Sequence, residues 1–178
     1  MRICFINPPS GLARDFYEIP LNIAYLVACV RSRPIAVDFD VVDMELAVDK
    51  DPWAVLERRG LGPAPDVIAA PLYTYSLGAC LTAIERLRHY FPEALTIVGG
   101  PHATLADTEM ISREFIDVLI VGEGDDSFPE VIEALEKHGR RGLWSAIRNL
   151  GGVVFKDHIS QGPAKKSCAT NDTVLPAS

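Results

Sequence analysis

Two apolar runs that both halt at glycine constrain this chain more than any other feature. Leu95-Thr96-Ile97-Val98 stops at Gly99-Gly100-Pro101-His102, and Val118-Leu119-Ile120-Val121 stops at Gly122-Glu123-Gly124. Short continuous apolar runs closed by turn residues read as buried strands of a parallel sheet. The interval between them holds one crossover helix. The two glycine turns then lie side by side at the carboxyl edge of the sheet, where open α/β sheets bind ligands. Glycine at that edge lets backbone N–H groups come close to a ligand.

The rest of the chain continues the alternation of strand and helix. Residues 2–6 form a first strand, ended by Asn7-Pro8-Pro9 because proline cannot continue a central strand. Residues 10–19 make a long loop at the same edge. Pro20 opens a helix with Leu21, Ala24, Val27, Ala28 and Arg31 at helical spacing. Its nearly all-round apolar surface predicts hard packing on the sheet. Val37, Phe39 and Val41 alternate with Asp38 and Asp40, a half-buried strand at or near an edge. A short helix over 53–59 and a loop over 60–65 follow. A strand over 66–72 runs into Tyr73-Thr74-Tyr75-Ser76, and a helix over 77–91 carries Leu77, Cys80, Leu81, Ile84 and Leu87 on one face.

Beyond the second glycine turn the signals weaken. Asp107 is placed to cap a short helix reaching Phe115, and Ser127 with Glu130 has the spacing of a capping box. Gly139 predicts the end of the helix that follows. Residues 144–150 read as a short turn or strand. Val153-Val154-Phe155 and His158-Ile159 flank Lys156-Asp157 as a small hairpin, and 161–178 reads as linker. The expected fold is α/β: a flavodoxin-like, doubly wound, five-stranded parallel sheet with a small C-terminal hairpin. The expected division is a ligand-binding domain over 1–142, the hairpin extension over 143–160 and a tail over 161–178.

Composition removes several function classes. A net charge of −7 without a basic run argues against nucleic acid and anionic membrane surfaces. No apolar run is long enough to cross a bilayer, and the N-terminus is too short for a secretory signal, so a cytoplasmic protein is expected. Cys4, Cys29, Cys80 and Cys168 form no CxxC or CxxxCxxC group. The first three lie in apolar patterns and are expected as buried free thiols. No GxGxxG turn follows the first strand, as a nucleotide-binding oxidoreductase requires. Flavin binding is left open by the fold alone. A phospho-receiver needs acidic residues where this chain has Asn7-Pro8 and Tyr73-Thr74. Asp43 is expected in a solvated loop, His89, His138 and His158 at the surface, and Trp53 and Trp144 in packing.

Four stretches together resemble one family. They are Asn7-Pro8-Pro9, Pro20-Leu21-Asn22-Ile23-Ala24-Tyr25-Leu26, Val98-Gly99-Gly100-Pro101-His102-Ala103-Thr104, and Val121-Gly122-Glu123-Gly124-Asp125-Asp126-Ser127-Phe128. The chain is similar to the N-terminal cobalamin-binding domain of class B radical S-adenosylmethionine enzymes, a group of many methyltransferases and an anaerobic ring cyclase. The resemblance covers residues 1–159. It implies a Rossmann-like B12-binding fold with the corrin over the carboxyl edge and the nucleotide tail in a crevice between sheet and helix. It also implies that Gly99, Gly100, Pro101, Gly122, Glu123 and Gly124 line the tail channel. Thr74 and Ser76 are candidate donors to the tail, or else a solvated turn, and Pro9, Ser10, Gly11, Tyr73, His102 and Ala103 complete the expected cofactor contacts. No catalytic residue and no protein ligand to the metal is implied.

Two departures shape the functional expectation. The loop after the first strand, residues 7–18, holds no histidine, so cobalamin is expected base-off without a histidine ligand, its lower face meeting water, an apolar group, Arg14 or Tyr17. The chain also lacks the three cysteines that hold a 4Fe–4S cluster. S-adenosylmethionine and the cluster would therefore sit on a missing domain or a partner, with the radical domain in cis or in trans. For His102, three roles remain open: axial ligand, hydrogen bonding to the cofactor, or structure. The alternative function is a degenerate B12-fold protein that docks a partner without cofactor.

Overall fold

The structure, a computed structural model, describes residues 1–9, 19–46, 54, 63–156 and 165–166. Seven strands form one sheet: β1 (Arg2–Asn7), β2 (Asp38–Asp43), β3 (Val67–Pro71), β4 (Leu95–Gly99), β5 (Val118–Ile120), β6 (Val153–Phe155) and β7 (Lys165–Lys166). Their spatial order is β2-β1-β3-β4-β5-β6-β7. The first five are mutually parallel, and β6 and β7 add in antiparallel pairing. The helices are α1 (Leu21–Arg31), α2 (Leu77–Tyr90), α3 (Pro101–Leu105), α4 (Asp107–Ser112) and α5 (Ser127–Ala146), with a 3-10 turn at Thr74–Ser76. The helix expected over 53–59 lies almost wholly outside the described residues.

Strand pleating sends alternate residues to opposite faces, and the core divides accordingly. Ile3, Phe5, Val67, Ala69 and Ile97 face α1 and α5. Cys4, Ile6, Ile68, Ala70 and Val98 face α2 and α4. The polar alternation of β2 matches its place at the sheet edge. The parallel strands β1, β3, β4 and β5 bury near-continuous apolar runs because helices cover both faces.

The C-terminal part differs from expectation. β6 pairs with β5 from Val118↔Phe155 to Ile120↔Val153, so the sheet has seven strands rather than five. The small hairpin exists in a wider form, β6 with β7; the expected partner at 158–159 lies outside the described residues. Gly139, at φ 60° and ψ 178°, does break the helix, but helical geometry resumes to Ala146. Residues 144–146 are thus helical, not a strand. Burial explains it: Leu143 and Trp144 join the core, and the Trp144 ring lies 5.7 Å from that of Phe155. The capping box is absent too. Asp126 is the N-cap, and Ser127, one residue inside the helix, donates its hydroxyl to the Glu123 carbonyl at 3.2 Å.

Candidate functional site

A cleft of about 930 Å³ opens at the carboxyl edge, between the sheet and the helix pair α1 and α5. Its floor is a row of side chains on one face of adjacent strands. Phe5 pairs in register with Ala69, and Ala69 with Ile97. The small residue between two large ones leaves the hollow. Ile120 extends the floor, while Ile23 and Leu26 of α1 and Phe128 of α5 form the walls. The Phe5 and Phe128 rings, 5.6 Å apart, join floor to wall.

The mouth is built from the two glycine turns. Gly100 sits at φ +95°, and a Cβ there would stand 3.1 Å from the Leu72 carbonyl oxygen and 3.2 Å from its nitrogen. Only glycine fits that position. Gly122 sits at φ +83° with nothing within 4 Å of a Cβ, so there the backbone conformation alone selects glycine. At Gly100 the close approach is to the protein's own Leu72 backbone.

Four side-chain hydrogen bonds organise the rim. Thr104 Oγ1 donates to the Gly100 carbonyl at 3.1 Å and accepts from the Gly122 N–H at 3.0 Å. Thr74 Oγ1 and His102 Nδ1 share a hydrogen bond of 3.0 Å. Asn22 Nδ2 donates to the Tyr73 hydroxyl at 3.1 Å, and the Tyr73 and Tyr75 rings stack at 5.3 Å. The rim carries two carboxylates, Glu123 and Asp125, and no Lys, Arg or His side chain among the described lining residues.

Of the fourteen candidate cofactor-binding residues, the cleft is lined by Tyr73, Gly99, Gly100, Pro101, Gly122, Glu123 and Gly124. Pro9, Thr74, Ser76, His102 and Ala103 are not among its lining residues. Pro9, Ser76 and Ala103 are buried, and His102 is turned to Thr74. Ser10 and Gly11, like Arg14 and Tyr17, lie outside the described residues. The sequence reading missed Asn22, Tyr25, Leu26, Thr104 and Leu105.

Helix α1 corrects its expectation. Only Ile23 and Val30 are buried, whereas Leu21 and Tyr25 are 71% and 57% exposed and line the cleft. Its apolar surface was the signal: it exceeds what one sheet face can cover. Asp43 is a second correction. It is buried rather than solvated, and its carboxylate accepts from Asn7 Nδ2 and the Glu45 N–H, both at 3.0 Å, tying β1 to β2 at this edge. Cys4 and Cys80 are buried as expected, while Cys29 is half-buried. Burial pushes the Cys80 thiol up to about 12.

A family model described as the B12 binding domain matches residues 11–132. This chain belongs to the B12-binding domain family. Over 167 residues it is 27% identical to an uncharacterized methyltransferase of Pyrococcus horikoshii, a match covering 89% of this chain and 33% of that one. It is 24% identical over 161 residues to the anaerobic magnesium-protoporphyrin IX monomethyl ester cyclase of Cereibacter sphaeroides, covering 88% and 25% respectively. The fold is shared with the solved radical S-adenosylmethionine methyltransferase TsrM of Kitasatospora setae, bound to cobalamin and a 4Fe–4S cluster. That likeness has a TM-score of 0.71 at 13% identity over 94% of this chain and 28% of that one. This B12-binding domain thus spans about a quarter to a third of the length of these proteins.

The cofactor of the family is cobalamin, and the cleft fits it. Its volume is that of a site for a sizeable organic ligand, about 300–1,000 Å³. An apolar floor suits an aromatic base, and the rim carboxylates and hydroxyls suit amides and ribose hydroxyls. No helix among the described residues is long and apolar enough to cross a membrane.

Proposed function

We propose that this B12-binding domain holds cobalamin base-off, with the nucleotide tail in the cleft between sheet and α1, and presents it to a radical S-adenosylmethionine module in cis or in trans. The carrying observation is the cleft itself: an apolar trough opening between two glycine turns at the carboxyl edge. Bound there, cobalamin supplies a cobalt centre for methyl transfer or related radical chemistry. The residues of this chain bind and orient the cofactor and exclude water from its tail. Residues 7–18, after the first strand, hold no histidine, which supports a cofactor that would be bound without an imidazole ligand from this loop. The four cysteines have no cluster-binding spacing, so the cluster and S-adenosylmethionine belong to the other module.

Exposed apolar side chains at the same edge support docking of that module. Ile19 precedes α1, Leu46 follows β2, Tyr75 follows β3 and Leu105 follows β4, and all are exposed. Mixing the purified protein with hydroxocobalamin, desalting and recording the visible spectrum tests the reading. A retained base-off corrin spectrum is expected, and, after chemical reduction of the bound cofactor to cob(II)alamin, no nitrogen lower ligand by paramagnetic resonance. A folded but colourless protein at high cofactor concentration would sink the cofactor assignment and favour a docking module without cobalamin.

A further inference from the structure

The short helix α3 does something that its sequence did not announce. It follows the β4 turn and makes side-chain bonds to the turns on both sides. Toward β3, the His102 N–H donates to the Leu72 carbonyl at 3.1 Å and the ring meets Thr74 at 3.0 Å. Toward β5, Thr104 accepts from the first N–H of the next glycine turn, Gly122, while its own proton goes to Gly100. One five-residue helix therefore connects three consecutive strand-end turns.

We propose that α3 is a brace, with Thr104 and His102 as positioning residues that fix the spacing of the turns around the cleft mouth. Gly100 and Gly122 both adopt positive φ, and glycine turns have wide conformational freedom when nothing holds them. A single hydroxyl shared between the two turns removes that freedom at the cost of one side chain. The His102 ring does the same on the β3 side, which explains why it faces Thr74 rather than the cleft. The effect of the brace on ligand affinity rests on the cobalamin reading above; the brace itself does not.

The test uses the full chain with Thr104→Val, Thr104→Ser and Thr74→Val. Thr104→Val keeps the shape and removes both bonds. Amide hydrogen exchange at Gly122 is expected to rise about tenfold, and cobalamin affinity to fall about tenfold, with exchange in the sheet core unchanged. Thr104→Ser should return both within about threefold. Thr74 is exposed, so Thr74→Val keeps the fold, and it should loosen the 74–76 turn with a smaller affinity loss of about threefold. Parent-like exchange at Gly122 in Thr104→Val would overturn the brace. Faster exchange with parent-like affinity would overturn its positioning role. If the unmodified protein takes up no cobalamin, the function proposed above fails, and exchange at Gly122 still decides whether the brace exists.

Discussion

The two edges of the sheet are built on opposite principles. At the amino edge, carboxylates stitch strand entrances together. Asp66 accepts from the Arg2 N–H at 2.7 Å, and Asp117 accepts from the Thr96 N–H at 2.9 Å. Asp117 is only 2% exposed and also faces Arg88 at 3.4 Å and Arg140 at 3.6 Å. Lys156 stands nearby, its ammonium lowered by burial and partly held up by the Asp117 and Glu114 carboxylates. The carboxyl edge keeps one such buried carboxylate, Asp43 between β1 and β2, but around the ligand cleft it has glycine turns, shared hydroxyls, an open apolar trough and exposed leucine and tyrosine. Charge seals the first edge and apolar vacancy marks the second, so stability and binding are expected to separate along the strand axis.

Removing the buried charge should have the largest effect on folding. Asp117→Ala strips the Thr96 N–H of its acceptor and leaves two guanidinium groups facing an apolar gap. A loss of about 3 kcal/mol is expected in urea unfolding, since breaking a buried pair leaves its partner uncompensated. Asp117→Asn keeps an acceptor for Thr96 and should lose less. Cobalamin affinity of the folded protein should not change in either variant. A variant that stays stable but binds weakly would break the separation.

Gly100→Ala comes next and touches both properties. Positive φ and a Cβ 3.1 Å from the Leu72 carbonyl oxygen make about 2 kcal/mol of destabilisation reasonable. The turn cannot keep its shape, so cobalamin affinity should fall as well. Gly122→Ala sharpens the point, because only the backbone conformation objects there. Its expected loss is about 1 kcal/mol. Equal losses at the two glycines would show that the contact with Leu72 contributes nothing.

The sequence carried the parallel core well because periodicity and glycine stops are local signals. β1, β3, β4, β5 and α2 stand close to where their apolar patterns put them. The extension after Gly139 was illegible for a physical reason. Leu143, Trp144 and Phe155 gain their burial from distant strands, and three residues of β6 are too few to show a period. In the site, glycine turns were readable because positive φ leaves a compositional mark. The roles of His102 and Thr104 were not, since their partners Thr74 and Gly122 are set by tertiary proximity. Helix α1 was misjudged because an apolar residue looks the same in sequence whether it faces a core or a cleft.

Leu105 isolates that last ambiguity at the lowest expected cost to the fold. It lines the cleft yet is 85% exposed, more than the other exposed large apolar residues described. Leu105→Glu removes an apolar surface and adds charge to a rim that already carries Glu123 and Asp125. Nothing buried is disturbed, so urea stability should stay within about 0.5 kcal/mol of the parent. Cobalamin affinity should fall about tenfold, the scale of losing part of one leucine's burial against the ligand. If stability falls instead and affinity holds, Leu105 supports the fold from the carboxyl edge. The two edges would then differ in composition but not in task.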